Sequence, residues 1–259
     1  MRSLIFFLLA LWSVDIYADA IITLKTRGDI AQNIMVLTPK TTPKAVLILF
    51  SGGAGTLRLH EETPALGNFL IRSRELFVRH GFALICVDAP MDKQDKDGMY
   101  YGFRTSKEHQ VDIEGILHYA RRTFNKPLWL VGTSRGSESV ASLASSASLD
   151  IQGIVLSSSI TKETKKGRSL LTMNLENITV PALVIAHEKD TCSVTPPHHA
   201  TALFKRLTHS TVKEIHYFSG GYVEGLNPCK ARTYHGYLGI EEKVVKTIVT
   251  FIEKAILES

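Results

Sequence analysis

Gly132-Thr133-Ser134-Arg135-Gly136 follows the apolar run Pro127-Leu128-Trp129-Leu130-Val131 and precedes a stretch rich in serine and alanine. A serine set two residues from a glycine on either side, at a corner between a strand and a helix, is the nucleophile-elbow pattern. The turn is so tight that a Cβ at either glycine position collides with the neighbouring strand or helix. The serine is forced into a strained backbone conformation that pushes its hydroxyl out beyond the sheet edge. A free serine is a poor nucleophile, so this corner gains meaning only with a base and an acid elsewhere in the chain.

Apolar runs of strand length recur on both sides of the corner. Ala45 to Phe50, Phe82 to Val87, Leu128 to Val131, Ile154 to Leu156 and Ala182 to Ala186 are apolar without alternation, as strands covered on both faces are. Val212 to Phe218 alternates and suits a later, more exposed strand, and the runs Ile21 to Leu24 and Ile34 to Leu37 suit an antiparallel opening. Helices are expected between them. Gly67 to His80 ends at a C-capping Gly81, and Ser106 to Phe124 has an N-capping Ser106; a serine- and alanine-rich helix follows the corner, with Pro197 to His209 and Ile240 to Glu258 after it. This alternation predicts an α/β fold: one domain over 21–259, with a central, mostly parallel sheet and helices on both faces. The 44% hydrophobic and 21% charged composition excludes a disordered chain.

Ten histidines are available as a base. Only His235, in Thr233-Tyr234-His235-Gly236-Tyr237, lies after the last strand-like run and before the final helix. A loop there hangs over the carboxyl ends of the strands, where the corner also points. Its imidazole is expected to take the Ser134 proton and deliver it to a leaving group. Asp190, just beyond the strand Ala182 to Ala186, is expected to orient it; Glu188 is the competing carboxylate. An oxyanion needs backbone N–H donors. Arg135 N–H is one candidate, and the turn Ser51-Gly52-Gly53-Ala54-Gly55 offers the other, Gly53 ahead of Ala54. No Gly-Lys-Ser/Thr follows those glycines, so a nucleotide P-loop is unsupported.

With these four features in this order, nearly all of residues 21–259 resembles an α/β-hydrolase-fold serine hydrolase, of the exported esterase-like or dienelactone-hydrolase-like kind. The order Ser134, Asp190, His235 is the order of that family. One departure is Ser51, which stands where many relatives carry histidine. The resemblance implies cleavage of a carboxylic ester through an acyl-enzyme, with a peptidase or acyltransferase on the same triad as alternatives, and names no substrate. A non-catalytic binding protein of the same fold is the reading from another class, and an intact triad disfavours it. The segment between Ile160 and Val180, where this fold inserts a lid, is short. Leu170, Leu171 and Met173 are candidate apolar contacts there, and the loop Ala89 to Arg104 is a second candidate wall. Arg135, with Arg104 and Lys189, is a candidate for an anionic acyl or leaving group.

Of three cysteines, Cys86 lies inside an apolar strand and reads as a small buried hydrophobe. Cys192 is two residues from Asp190 and Cys229 six from His235. If acid and base meet, their loops are neighbours, and a Cys192–Cys229 disulfide follows. The first twenty residues read as a cleaved export signal: Arg2, then the apolar run Leu4 to Trp12, then the small-x-small sequence Ala18-Asp19-Ala20. That run falls short of the roughly 20 apolar residues of a membrane span. The expected compartment is a periplasm or the exterior, where disulfides persist. Losing Arg2, Asp15 and Asp19 turns a net charge of +5 into +6. No basic block or nucleic-acid motif accompanies that charge, so no nucleic-acid partner is expected. His198-His199 has the wrong spacing for two ligands on one helix face, and no metal or cofactor is expected. The expected partner is a small-molecule or extended acyl substrate.

Overall fold

The computed structural model describes residues 18–146 and 149–258. The expected export signal therefore lies, for residues 1–17, outside the described residues. The small-x-small sequence Ala18-Asp19-Ala20 opens the first strand.

Among the described residues, eight strands form one sheet: β1 (Ala18–Arg27), β2 (Ile30–Thr38), β3 (Val46–Phe50), β4 (Ala83–Pro90), β5 (Leu128–Thr133), β6 (Gly153–Ser157), β7 (Ala182–His187) and β8 (Lys213–Phe218). Their order is β1-β2-β4-β3-β5-β6-β7-β8. β1–β2 and β2–β4 pair antiparallel, and every pair from β4–β3 to β7–β8 is parallel. Among the described residues, six α-helices accompany them: α1 (Phe69–Arg72), α2 (Arg74–Arg79), α3 (Lys107–Phe124), α4 (Gly136–Ala144), α5 (Ala200–Arg206) and α6 (Glu241–Leu257).

The unbroken apolar runs have a simple origin. Val46, Ile48 and Phe50 of β3 join a core with Ile113, Ile116 and Leu117 of α3 and Val140 of α4. The alternate residues Leu47 and Leu49 join a second core with Phe69 of α1, Phe77 of α2 and Val245, Ile248 and Ile252 of α6. Both faces of each central strand are therefore apolar. β8 is half-buried along most of its length, as its alternating sequence predicts.

Two local expectations change. The helix read as continuous over 67–80 breaks at Ser73, where α1 ends and α2 begins. The Arg72 side chain beside the break donates to Gly236 O and to Glu241 Oε1, the latter at 2.8 Å. The segment read as a short cap also packs differently. Leu170 and Met173 turn down into the α3/α4 core, with Leu171 packed partly buried against it, so none of the three stands over the nucleophile. From that segment Lys166, in the small hairpin closed by Thr164 and Gly167, lines a cleft with Ser134.

Candidate active site

Ser134 sits between β5 and α4 with φ +53°, the left-handed region that costs a non-glycine residue free energy. A Cβ on Gly132 would stand 2.5 Å from Gly136 O, and one on Gly136 would meet Phe50 O. Both glycines are therefore required by contact. The strain is held by bonds on either side: Ser134 N–H donates to Ser157 O at 2.9 Å, and Ser137 Oγ donates to Ser134 O at 2.6 Å.

His235 lies on a single 3-10 turn, Tyr234–Gly236, and its Nδ1 is 2.8 Å from Asp190 Oδ2. A carboxylate only accepts, so Nδ1 carries the proton and Nε2 remains the basic nitrogen. Asp190 Oδ1 accepts from Cys192 N–H at 2.9 Å, and Oδ2 accepts from Thr195 Oγ1 at 2.9 Å. Thr195 Oγ1 is also 3.2 Å from His235 Nδ1. Asp190 and His235 are both buried, whereas Glu188 is exposed. The histidine turn is secured from below. Ser158 Oγ donates to His235 O at 2.9 Å, and the Tyr237 hydroxyl donates to Ile185 O at 3.2 Å and lies 3.0 Å from Ser158 Oγ. Burial pushes the Tyr237 phenol up to about 12, so it stays a neutral donor. From the side, Arg72 donates to Gly236 O.

Ser134 and His235 line one cleft of about 400 Å³, together with Gly52, Gly53, Asn68, Tyr100, Lys166 and Lys230. A Cβ on Gly52 would lie 2.9 Å from the Ser134 Cβ, so this loop rests directly on Ser134. Gly53 lines the cleft; Ala54 turns to Met99, whose N–H donates to Ala54 O at 2.8 Å. Among the described residues, neither Gly53 N–H nor Arg135 N–H donates an internal backbone hydrogen bond.

Cys192 and Cys229 form a disulfide across a separation of 37 residues, with Cα atoms 4.6 Å apart. It ties the loop carrying Asp190 to the loop that lines the cleft beside His235. Cys86 is buried within β4. No cluster of metal-ligating side chains occurs among the described residues, and none of their helices is long and apolar enough to cross a membrane. His199 Nδ1 instead meets Thr161 Oγ1 at 3.1 Å.

The arginines read as anion ligands have other work. Arg135 pairs with buried Glu138 and donates to Thr164 Oγ1 at 2.7 Å. Burial raises the Glu138 carboxyl, opposed by the charges of Arg135 and Arg104. Arg104 is 1% exposed; it donates to Ser51 O at 3.0 Å, Gly53 O at 3.3 Å and Ser139 Oγ at 3.0 Å. Burial lowers its guanidinium to about 10, which leaves it charged at neutral pH. It sits behind the Gly52–Gly53 loop and fixes its carbonyls. Lys189 lies 6.0 Å from the Tyr234 ring. Sequence reading missed Thr195 and this use of Arg104. Spacing carries no signal for either.

No protein-family model and no curated protein sequence matches the chain. Solved structures do. The esterase Pf2001 of Pyrococcus furiosus superposes with TM-score 0.66 at 12% identity, over 92% of this chain and 91% of that one. Est1E from Butyrivibrio proteoclasticus gives 0.64 at 14%, over 92% and 99%. The acylaminoacyl peptidase of Pyrococcus horikoshii gives 0.65 at 13%, over 94% of this chain and 42% of the peptidase. At these identities the likeness is one of fold.

Proposed function

We propose that this chain, which has the α/β-hydrolase fold, is an exported serine hydrolase that cleaves a carboxylic ester of a small or extended substrate. The observation that carries the reading is the Asp190–His235 pair at 2.8 Å, opening into the same cleft as a strained Ser134. His235 Nε2 takes the Ser134 Oγ proton as Oγ attacks the ester carbonyl carbon. Gly53 N–H and Arg135 N–H hold the resulting oxyanion. Collapse breaks the bond to the leaving alkoxide, which receives the proton from His235 and departs as an alcohol. Water then gives a proton to His235 and attacks the acyl-enzyme, releasing a carboxylic acid and restoring Ser134. No cofactor enters these steps.

Export rests on the leader-like sequence Arg2 to Ala20, with a disulfide suited to an oxidising compartment. Mass spectrometry of the exported protein is expected to find Ile21 at its N-terminus; an intact Met1 would defeat that part. A peptidase is the second reading, favoured by the likeness to the acylaminoacyl peptidase. The deciding test is labelling with a fluorophosphonate, followed by p-nitrophenyl esters and peptide amides. Wild type is expected to be labelled and Ser134→Ala not, with turnover on the esters. An unlabelled wild type would sink the hydrolase reading and favour a binding role.

A further inference from the structure

The cleft of Ser134 is cationic on two sides, and the lysines there are placed by well-anchored backbone. Lys166 is at the tip of the hairpin closed by Thr164 N–H to Gly167 O and Gly167 N–H to Thr164 O, both 3.1 Å. That hairpin is rooted on the elbow helix. Arg135 donates to Thr164 Oγ1 at 2.7 Å, Arg168 N–H donates to Glu138 Oε2 at 3.2 Å, and Tyr101 N–H donates to Lys166 O at 3.1 Å. The Lys166 ammonium stands 4.8 Å from the centroid of Tyr100, another cleft residue. Lys230 is fixed from the other loop: its neighbour Cys229 is bridged to Cys192, and Lys230 O accepts from Thr233 Oγ1 at 2.8 Å.

No aspartate or glutamate is among the residues that line this cleft. Like charges on both walls of a cleft with low-dielectric sides concentrate an anion there. We infer that the cleft selects an ester carrying a carboxylate, with Lys166 and Lys230 as its specificity-determining contacts. Lys230 lies in the loop packed on the histidine turn, where a Cβ on Gly236 would meet Ala231 O. His235 delivers its proton to the leaving group, so Lys230 serves a carboxylate on the leaving side. Lys166 is next to Tyr100 and the oxyanion loop and serves one on the acyl side. This inference rests on the hydrolase reading above and assigns its substrate class.

The test uses two matched ester pairs that differ by one charge: 4-acetoxybenzoate with its methyl ester, and monophenyl adipate with phenyl hexanoate. Wild type is expected to favour the charged member of at least one pair by up to about fivefold in kcat/KM, mostly through KM and diminishing with salt, as one exposed ion pair provides. The double variant Lys166→Glu with Lys230→Glu is expected to invert that preference. The inversion is read as the ratio of charged to neutral member within each pair, so a general loss of activity does not enter it, and fluorophosphonate labelling of the double variant reports that its fold and Ser134 persist. Equal turnover of both members of both pairs would overturn the inference. So would a preference that survives the double variant, or labelling of Ser134 with no turnover of either charged ester. These outcomes leave the hydrolase reading standing, whereas absence of both labelling and turnover removes the reading and the inference together.

Discussion

Ser134, Asp190 and His235 divide the work expected of them by kinds of bond. Asp190 is satisfied by three donors, His235 Nδ1, Thr195 Oγ1 and Cys192 N–H, so its orientation is fixed. Replacing it with asparagine offers His235 an amide in place of an obligate acceptor and permits the wrong tautomer. Asp190→Asn is expected to lower kcat by roughly 10³–10⁴-fold with the fold intact, measured by ester turnover alongside circular dichroism. Arg104 works one layer further back. Its guanidinium holds the carbonyls of Ser51 and Gly53, the peptides that bracket the loop resting on Ser134. Arg104→Lys keeps the charge but loses the planar fork that reaches two carbonyls and Ser139 together. The expected result is a fall in kcat of about tenfold or more at nearly unchanged KM, below the roughly 10²–10³ of a lost oxyanion donor. A change confined to KM would place Arg104 outside the oxyanion machinery.

At the scale of elements, the site depends on two loops after β7 and β8 that the disulfide Cys192–Cys229 holds together. Closing a 37-residue separation is worth about 3–4 kcal/mol in the chain-entropy model. Cys192→Ser with Cys229→Ser is therefore expected to lose about that much stability in urea titrations. Activity is expected to fall under conditions where the sheet is still folded, because the severed contact borders Asp190 and not the core. The elements themselves were legible because their cause is local. Leu47 and Ile48 are both apolar because both faces of β3 are covered, and any buried parallel strand shows that pattern. The elbow was legible because Gly132 and Gly136 are demanded by contact, and the meeting of Asp190 with His235 because both follow strand ends in order. The break at Ser73 was not legible, since Leu70, Ile71, Leu76 and Phe77 keep helical spacing across it. Leu170 and Met173 show the same limit: an apolar residue in a loop fits a core as well as a substrate. Thr195 and Arg104 act across 40 and 53 residues of sequence, where spacing says nothing about approach.

For the molecule as a whole, the same layering that buries the sheet also encloses a titratable group. His109, in the first turn of α3, has no exposed surface and lies against the rings of Phe50 and Phe103, 6.2 Å and 5.6 Å between centroids. Among the described residues neither of its ring nitrogens has a hydrogen-bond partner. Burial, aided by the charge of Arg104, lowers its pKa from an ordinary 6.5 to about 3. Between those two values the unfolded chain binds a proton that the folded chain refuses. The contribution to stability is therefore full above pH 6.5 and is lost progressively as the pH falls toward 3. One such group gives a slope of at most about 1.4 kcal/mol per pH unit. His109→Phe removes the proton-binding group and keeps an aromatic ring against Phe50 and Phe103. Its unfolding free energy from urea titrations at pH 7, 6, 5 and 4 is expected to decline less steeply than that of wild type, by up to about 1 kcal/mol per unit below pH 6. Parallel curves for the two proteins would mean that His109 takes up its proton in the folded state, and that the α3 face admits charge where the packing of Phe50, Phe103 and Arg104 argues against it.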